Sequence, residues 1–366
     1  MDFGLTEGDS GVVARATGFA RQFSETGGTP SWDQWGDGGW TGLCLPGEFG
    51  GGGYPALASV LTFEALGRGG IDRGALFALG AHLFGCSMAV ANHGSAEQKA
   101  AWLPRLASGA AVGALGFSEA SGGSDLDACG SELVAVGTGY RLSGAKTCVT
   151  NGSIADLFVV LARSREQRSP FAYSMVLLPR DTPGLSVTPI EGVRGLAATT
   201  PAEVVFDDCP VAESDLLRRG DLGMAQMLDI MRWERSCILA GSLGALQADF
   251  ERVMRHLSER GRHQATDHAL ARIRTRIEGA RWLMLQAAWR LDQSGSDLLQ
   301  PSMSKLFVSE AIAECTGELR RLVAGAAWRG ELGLADALDD ALALLSASGT
   351  SEVQLNTIAS QIGSGL

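Results

Sequence analysis

Hydrophobic positions along the chain follow one period at both ends and another in the middle. Over residues 6–111 they recur every three to four residues, which predicts helices over 12–23, 55–67, 74–90 and 95–107. Over residues 113–217 the apolar runs are short and are separated by Gly, Pro, Asp and Asn, which predicts strands. From Met224 onward the helical period returns. The pattern therefore predicts the order helix, sheet, helix.

The changes of period divide the chain into three predicted domains, over residues 1–112, 113–218 and 219–366. In the middle domain the predicted strands are 132–136, 140–143, 157–161, 174–178, 185–189 and 202–206. In the last domain the predicted long helices are 226–255, 265–293 and 302–324, with residues 330–333 as the clearest interruption.

Composition narrows the class of protein. The 366 residues are 45% hydrophobic and 19% charged, with a net charge of -11, which is typical of a globular protein. That negative charge argues against nucleic acid as a partner, since a phosphate-binding surface needs a concentrated basic face. The seven cysteines are widely spaced and form no CxxC pair, so we expect a reducing cytoplasm and no metal site. No membrane span or secretion signal is expected.

Two turns rich in small and hydroxyl residues border predicted strands. The first is residues 113–125, GALGFSEASGGSD, and the second is residues 146–152, KTCVTNG. Such turns offer backbone N–H groups and let a flat ligand approach the main chain, so they are typical of cofactor sites. Taken alone, they are equally typical of ordinary Gly/Ser loops.

Six segments, in this order, resemble the FAD-dependent acyl-CoA dehydrogenases over nearly the whole chain. They are GWTGLCLPGEFGGG from Gly39, HGSAEQK from His93, FSEASGGSD from Phe117, KTCVTNG from Lys146, WER from Trp233 and GTSE from Gly349. The resemblance implies an α+β fold with an N-terminal helical domain, a β-barrel-like middle domain and a C-terminal four-helix bundle. It also implies that FAD lies between the last two domains and that a second subunit completes its site.

The resemblance carries a set of FAD contacts onto this chain. The positions within one subunit are Leu115, Phe117, Ser118, Gly123, Ser124, Cys148, Thr150, Gly349 and Thr350. Ser124, with Gly123, matches the position that meets the pantetheine arm of the substrate. Cys148 stands where the family usually has a tryptophan against the flavin, which implies a more open flavin face.

Contacts to the FAD of a neighbouring subunit match the family only in part. In the family this contact is made by a Gln and a Gly-Gly pair. This chain has Arg321 and Gly325 at these positions, so it matches only half of the contact. Arg260 and His263 stand at an Arg-x-x-Phe motif in which His263 replaces the phenylalanine. The resemblance implies a homodimer or homotetramer.

The catalytic base is predicted at an unusual position. Many members of the family keep a glutamate directly before the Gly-Thr of the C-terminal motif, where this chain has Ser348, which cannot act as the base. A minority place it before an arginine in the first long helix of the C-terminal domain, where this chain has Glu234 and Arg235. We therefore predict Glu234 as the base and Arg235 as a substrate-binding residue. The alternative is a helix-surface acid paired with a nearby arginine.

The resemblance implies an enzyme that oxidises an acyl thioester on acyl carrier protein or coenzyme A. An electron-accepting flavoprotein or another acceptor would take the electrons. The chain as a whole is similar to the acyl-ACP dehydrogenases of hydroxymalonyl and methoxymalonyl extender-unit biosynthesis for polyketides. Two alternatives remain open. One is a non-catalytic subunit that pairs with an active homologue, and the other is a flavin monooxygenase or acyl reductase on the same fold.

Overall fold

The N-terminal part of the protein is a layer of helices. The computed structural model describes residues 5–26, 29–125, 128–164, 172–217, 222–259, 263–293 and 297–363. The N-terminal helices are α1 (Glu7–Thr26), α2 (Trp32–Asp37), α3 (Ala56–Arg68), α4 (Arg73–Gly80), α5 (Met88–His93) and α6 (Ala96–Ala107). Ser95 caps α6 in a capping box with Gln98.

The helix predicted over residues 74–90 is interrupted in its middle. A π-helical segment, Ala81–Ser87, connects α4 to α5 without a break in the chain direction. The predicted period of 3.6 residues is wrong here, because a π turn accommodates one more residue than an α turn. The whole run Arg73–His93 is also long and apolar enough to span a membrane by composition, but 94% of the apolar 18-residue window within it is buried inside the protein. It is therefore a core helix of this fold.

The middle of the chain forms one curled sheet. Its strands are β1 (Gly113–Gly116), β2 (Glu132–Val136), β3 (Gly139–Val149), β4 (Leu157–Ser164), β5 (Tyr173–Pro179), β6 (Leu185–Pro189) and β7 (Ala202–Val211). The hydrogen-bonded order is β1-β4-β2-β3-β7-β6, with β5 paired to β4. Both pairings of β4 within this path are parallel, whereas β5 runs antiparallel to it.

Strand β4 explains how the sheet attaches to the helices. Its residues Leu157, Val159 and Leu161 belong to the large core shared with the helices, and the alternate residues Phe158 and Val160 belong to a separate core within the sheet. Side chains of a strand alternate between the two faces of the sheet. A continuous apolar run is therefore required, and it is what the sequence contains at residues 157–161.

The C-terminal part is helical again. Its helices are α7 (Gly223–Cys237), α8 (Ala240–Ser258), α9 (Gln264–Asp292), α10 (Leu299–Leu322), α11 (Ala324–Trp328), α12 (Leu334–Ala343) and α13 (Ser351–Gly363). The helix predicted over 226–255 is two helices, α7 and α8, separated by a turn at Ile238 and Leu239. The structure thus confirms the α+β fold, in which helical domains precede and follow the sheet along the chain.

Asp292 joins the C-terminal helices to the N-terminal layer. Its carboxylate accepts hydrogen bonds from the backbone N–H groups of Ala56 at 2.7 Å and Leu57 at 3.0 Å, in the first turn of α3. Pro55, the residue before α3, gives no side-chain cap of its own. Asp292 therefore caps α3 from a distant part of the chain.

We expect Asp292→Ala to lower the free energy of unfolding by about 1 kcal/mol, the usual value of a helix cap. Asp292→Asn is the matched control, because its amide oxygen still accepts one of the two bonds and should retain part of that stability. Urea denaturation of the three proteins measures the difference. Equal midpoints for all three would contradict a capping role.

Candidate active site

The two small-residue turns meet in space. The backbone N–H of Thr147 donates a hydrogen bond of 2.9 Å to the carbonyl of Ser118, and the Lys146 ammonium lies 3.4 Å from the carbonyl of Phe117. The turn after β1 is thereby fixed against β3. The two segments that the sequence singles out form one surface.

This surface presents apolar and hydroxyl groups side by side. Leu115, Phe117, Ser118 and Thr150 are half-buried, and Cys148 is exposed. The pairing of β3 with β7 shifts register between Lys146 and Val149, where the strand passes through Cys148. The φ angle of Cys148 is 52°, a left-handed conformation that is uncommon outside glycine and that clusters at functional sites. The surface fits a flat aromatic ligand that has one polar edge.

A buried ion pair supports this surface from behind. Lys146 Nζ lies 2.6 Å from Glu119 Oε1, and the two side chains are 0% and 7% exposed. Burial raises the pKa of Glu119, but hydrogen bonds from Lys146, from the Ser131 hydroxyl and from the Gly130 N–H outweigh it and lower the pKa to about 2. Glu119 is therefore ionised and structural.

Glu234 is buried near the end of α7. Its residue is 8% exposed, so the alternative of a helix-surface acid is wrong. The Ser348 hydroxyl donates a hydrogen bond of 2.5 Å to Glu234 Oε1. Position 234, the predicted base, and position 348, where many family members have their base, are therefore in direct contact.

Burial raises the pKa of the Glu234 carboxyl above its ordinary value. The Ser348 hydrogen bond and the Arg235 charge oppose that rise in part. A raised pKa is what a carboxylate needs in order to take a weakly acidic proton near neutral pH.

The second oxygen of Glu234 faces the π-helical segment. A Cβ atom added at Gly85 would lie 3.8 Å from Glu234 Oε2 and 2.7 Å from Leu115 Cδ1. Leu115 of the small-residue surface packs against Gly85, so Glu234 Oε2 lies close to both residues. The base and the predicted cofactor surface are thus neighbours across the junction of helix and sheet.

The turn that carries Ser348 is held on its backbone. Arg235 Nε donates to the Ser348 carbonyl at 3.2 Å, and Arg235 Nη1 lies 3.3 Å from the Ser302 hydroxyl. The fully buried Gln354 donates to the carbonyls of Ser348 and Gly349 at 3.1 and 3.0 Å. These contacts of Arg235 are to protein atoms, so its assignment to substrate binding stays a prediction.

The remaining predicted positions are more exposed. Gly123 and Ser124 are exposed in the turn after β1, and Thr350 is half-buried, its hydroxyl accepting a hydrogen bond of 3.3 Å from the Val353 N–H in the first turn of α13. His263 is the exposed residue before α9, and Arg260 lies outside the described residues. These assignments stay predictions.

Two of the predicted inter-subunit positions, Arg321 and Gly325, lie on the surface of the C-terminal helices. Arg321 lines a surface cavity of about 630 Å³ with Gly317, Trp328 and Leu338, and Gly325 is exposed nearby in α11. Arg321 lies on α10, and Gly325 lies with Trp328 on the next helix, α11, so the two positions share one surface. Their contact with a neighbouring FAD stays a prediction.

Three features of the site are missed by sequence reasoning. The π-helical segment that places Gly85 beside Glu234 leaves no signal in the residue pattern. Gln354 looks like an ordinary helix residue. The role of Ser348 is also missed, although a hydroxyl next to a glycine in a motif that otherwise carries an acid is a signal that could have been used.

Fold and site together define a three-part α+β enzyme with a buried carboxylate beside a hydroxyl-rich cofactor surface. Comparison with known proteins identifies the family. The acyl-CoA dehydrogenase N-terminal domain matches residues 12–110, the middle domain 114–209 and the C-terminal domain 221–363. The chain belongs to the acyl-CoA dehydrogenase family.

Individual relatives agree with this assignment. The L-prolyl-[peptidyl-carrier protein] dehydrogenase of Pseudomonas fluorescens is 33% identical over 340 residues, which cover 90% of this chain and 89% of that protein. A solved FAD-dependent dehydrogenase is 33% identical with a TM-score of 0.94, covering 99% of this chain and 100% of that one. The FAD complex of PigA is 29% identical with a TM-score of 0.93, covering 99% of each chain.

The protein is therefore a flavin-dependent oxidoreductase, and its cofactor is FAD. The residues present fit that cofactor. Leu115 and Phe117 are half-buried apolar side chains that could contact the ring system, and Ser118 and Thr150 supply hydroxyls on the two turns that meet. Cys148 is small and exposed, so nothing bulky from position 148 fills the space in front of this surface.

Proposed function

We propose that this protein is an acyl thioester dehydrogenase in which Glu234 removes the α-proton of the substrate. The observation that carries the proposal is the position of Glu234. Its carboxylate is buried, lies 2.5 Å from Ser348, and has an oxygen directed towards Gly85 and Leu115 beside the cofactor surface. A carboxylate at that place can reach a substrate that lies against the flavin.

The chain's own residues supply the proton-transfer half of the reaction. The chemistry supplied by bound FAD would be acceptance of the hydride that leaves the β-carbon. Glu234 takes the proton from the α-carbon, so that the two C–H bonds are replaced by a carbon–carbon double bond. Burial excludes water from Glu234 and raises its pKa, which strengthens it as a base. Ser348 keeps one carboxylate oxygen occupied during the transfer.

We propose that the acyl group is presented on a carrier protein through a phosphopantetheine arm. The name of the Pseudomonas fluorescens relative supports this source, since that protein is described as acting on a carrier-protein thioester. The resemblance to acyl-ACP dehydrogenases of polyketide extender-unit biosynthesis supports a hydroxyacyl group as the substrate. A prolyl group is the second candidate, which the name of the same relative favours. Ser124 and Gly123 are the proposed contacts of the arm.

Anaerobic flavin bleaching tests the proposed function. The purified FAD-loaded protein is mixed with hydroxyacyl-ACP, prolyl-ACP and acyl-CoA thioesters in turn, and the loss of oxidised-flavin absorbance is followed. Bleaching by an ACP thioester, faster than by the matching CoA thioester, is the expected result. Absence of bleaching with every thioester would overturn the proposal and favour the non-catalytic subunit.

One observation favours a second candidate function. Cys148 is exposed where the family usually has a tryptophan, so the flavin would be more open to a small co-substrate such as oxygen. A flavin monooxygenase on this fold would consume oxygen and hydroxylate its substrate. Oxygen uptake without hydroxylated product, together with a desaturated product, would exclude it.

We further propose that the protein acts as a homo-oligomer in a reducing cytoplasm and passes its electrons to a separate flavoprotein. The free thiol state of all seven cysteines agrees with a reducing compartment. Trp328, which is 84% exposed beside the Arg321 cavity, supports an interface at this surface because so large an apolar side chain is rarely left in water.

We expect Trp328→Arg to shift the protein towards monomers, measured by light scattering after size-exclusion chromatography. Val136→Thr, at a 55% exposed apolar residue of β2, is the matched control and should leave the mass unchanged. If Trp328→Arg keeps the mass of the unmodified protein, the interface does not include α11.

A further inference from the structure

We infer that Ser348 is a positioning residue for the base, holding one oxygen of Glu234 so that the other is directed at the substrate. The inference rests on the proposed function of Glu234. It starts from the hydrogen bond of 2.5 Å that the Ser348 hydroxyl donates to Glu234 Oε1. Hydrogen bonds to an ionised carboxylate are short and about twice as strong as neutral ones.

The backbone at Ser348 is strained at the residue that makes this hydrogen bond. Ser348 has a φ of 54° and Gly349 a φ of 91°, so two successive residues are left-handed. Only glycine adopts this conformation freely, so a serine there has an energetic cost. The turn tolerates a side chain at position 348 at that cost, and the side chain is the one that reaches Glu234.

Two neighbours hold the turn in place through three hydrogen bonds. Arg235 Nε and Gln354 Nε2 both donate to the Ser348 carbonyl, and Gln354 also donates to the Gly349 carbonyl. A Cβ atom added at Gly349 would lie 2.8 Å from Gln354 Nε2, so position 349 has no room for a side chain. The strained turn is therefore fixed by groups that do not themselves touch the Glu234 carboxylate in the described contacts.

The remaining carboxylate oxygen is left for chemistry. Within the described part of the chain, Glu234 Oε2 accepts no hydrogen bond, and its neighbour across the junction is the side-chain-free Gly85. Fixing Oε1 limits the rotation of the carboxylate, so Oε2 keeps its direction towards Gly85 and Leu115. Ser348 is thus an oriented donor that defines which oxygen receives the proton.

Few charged groups face this site besides Glu234 itself. Arg235 follows it on α7, Lys305 lies on α10 with its ammonium 3.0 Å from the Leu345 carbonyl, and Glu352 begins α13. Burial and the Arg235 charge lower the pKa of Lys305 to about 8. Any change of pH profile on replacing Ser348 has to be distinguished from the titration of Lys305.

The experiment compares Ser348→Ala with Ser348→Gly. Alanine removes the hydroxyl and keeps the strain, whereas glycine removes both, so a fault in folding would affect the alanine variant and not the glycine variant. For both we expect the rate of anaerobic flavin reduction to fall about tenfold at neutral pH. The midpoint of its pH profile should move upward by about one pH unit, because a donor to the ionised form is lost.

A second measurement shows whether Ser348 acts through Glu234. In the Glu234→Gln background, Ser348→Ala should change the rate less than twofold, because no base is left to orient. Two outcomes overturn the inference. One is an unchanged rate and midpoint in both Ser348 variants, and the other is a rate loss of equal size with and without Glu234.

These failures differ from failure of the proposed function. If Glu234→Gln reduces its flavin as fast as the unmodified protein, the proposed base is wrong and Ser348 has nothing to position. If Glu234→Gln is slow while both Ser348 variants behave like the unmodified protein, the base stands and only the positioning role falls.

Discussion

Glu234→Gln will slow flavin reduction by the thioester substrate at least about a hundredfold, equivalent to about 2.7 kcal/mol of barrier, while the protein keeps its FAD. Glutamine has the same shape as glutamate, and its amide oxygen can still accept the Ser348 hydroxyl. The variant therefore loses the basic oxygen without leaving a cavity or an unpaired hydroxyl. Stopped-flow absorbance of the flavin under anaerobic conditions measures the rate.

Two further proteins make this test specific. Glu97→Gln replaces a carboxylate that lies at the exposed start of α6 and should leave the rate unchanged. Glu234→Gln combined with Ser348→Glu transfers the carboxylate to its hydrogen-bonding partner, position 348, which the family uses more often for the base. This double variant should recover part of the rate. Recovery is expected because positions 234 and 348 are in contact.

The pH dependence of the unmodified protein follows from the raised pKa of Glu234. Only the ionised carboxylate can take the proton, so the rate falls as the pH drops through that pKa, which lies above the ordinary value of 4.5. Equal rates for Glu234→Gln and the unmodified protein at every pH would exclude Glu234 as the base.

The hydrophobic pattern was sufficient to predict the order of helices and strands, because each element has the same pattern of burial along most of its length. The run at residues 157–161 is apolar at every position, and β4 is buried on both faces. The pattern fails where the backbone departs from a regular period without a change of composition. The π turn at Ala81–Ser87 and the break between α7 and α8 are such places, and both are lined by ordinary core residues.

The sequence singles out residues for the candidate site but does not give their arrangement. Glu234 and Ser348 stood out by comparison with the family. Position 348 lacks the glutamate that many members have there, and position 234 has a glutamate where a minority of members have one. Their contact joins residues 114 positions apart, so it depends on how α7 packs against the turn before α13. No local signal encodes that packing, and the same holds for the approach of Gly85 from the N-terminal layer.

Glu119→Gln will lower the free energy of unfolding by about 3–5 kcal/mol, because it leaves the ammonium of Lys146 buried without its counter-charge. The Lys146 side chain is 0% exposed, and its ammonium lies 2.6 Å from Glu119 Oε1. We also expect weaker retention of FAD, since Glu119 directly follows Ser118 on the proposed flavin surface. Urea denaturation and flavin content after dialysis measure the two effects.

The double variant Glu119→Gln, Lys146→Met separates the cost of an unpaired charge from the value of the pair. Replacing both partners by neutral side chains of similar size should restore much of the stability, because no isolated charge remains buried. A double variant as unstable as Glu119→Gln alone would show instead that packing around Lys146 causes the loss.

The pH dependence of the free energy of unfolding is an independent test of the Glu119–Lys146 pair. The folded-state pKa of Glu119 is lowered from 4.5 to about 2, so the carboxylate stabilises the fold above pH 4.5. That contribution is lost as the pH falls from about 4.5 to about 2, when the carboxylate becomes protonated in the folded state as well. Glu119→Gln should lack this part of the acid sensitivity, so its stability should change less than that of the unmodified protein over the same range. The pair therefore keeps the turn after β1 against β3 at neutral pH, where the proposed base has to be ionised and the flavin surface intact.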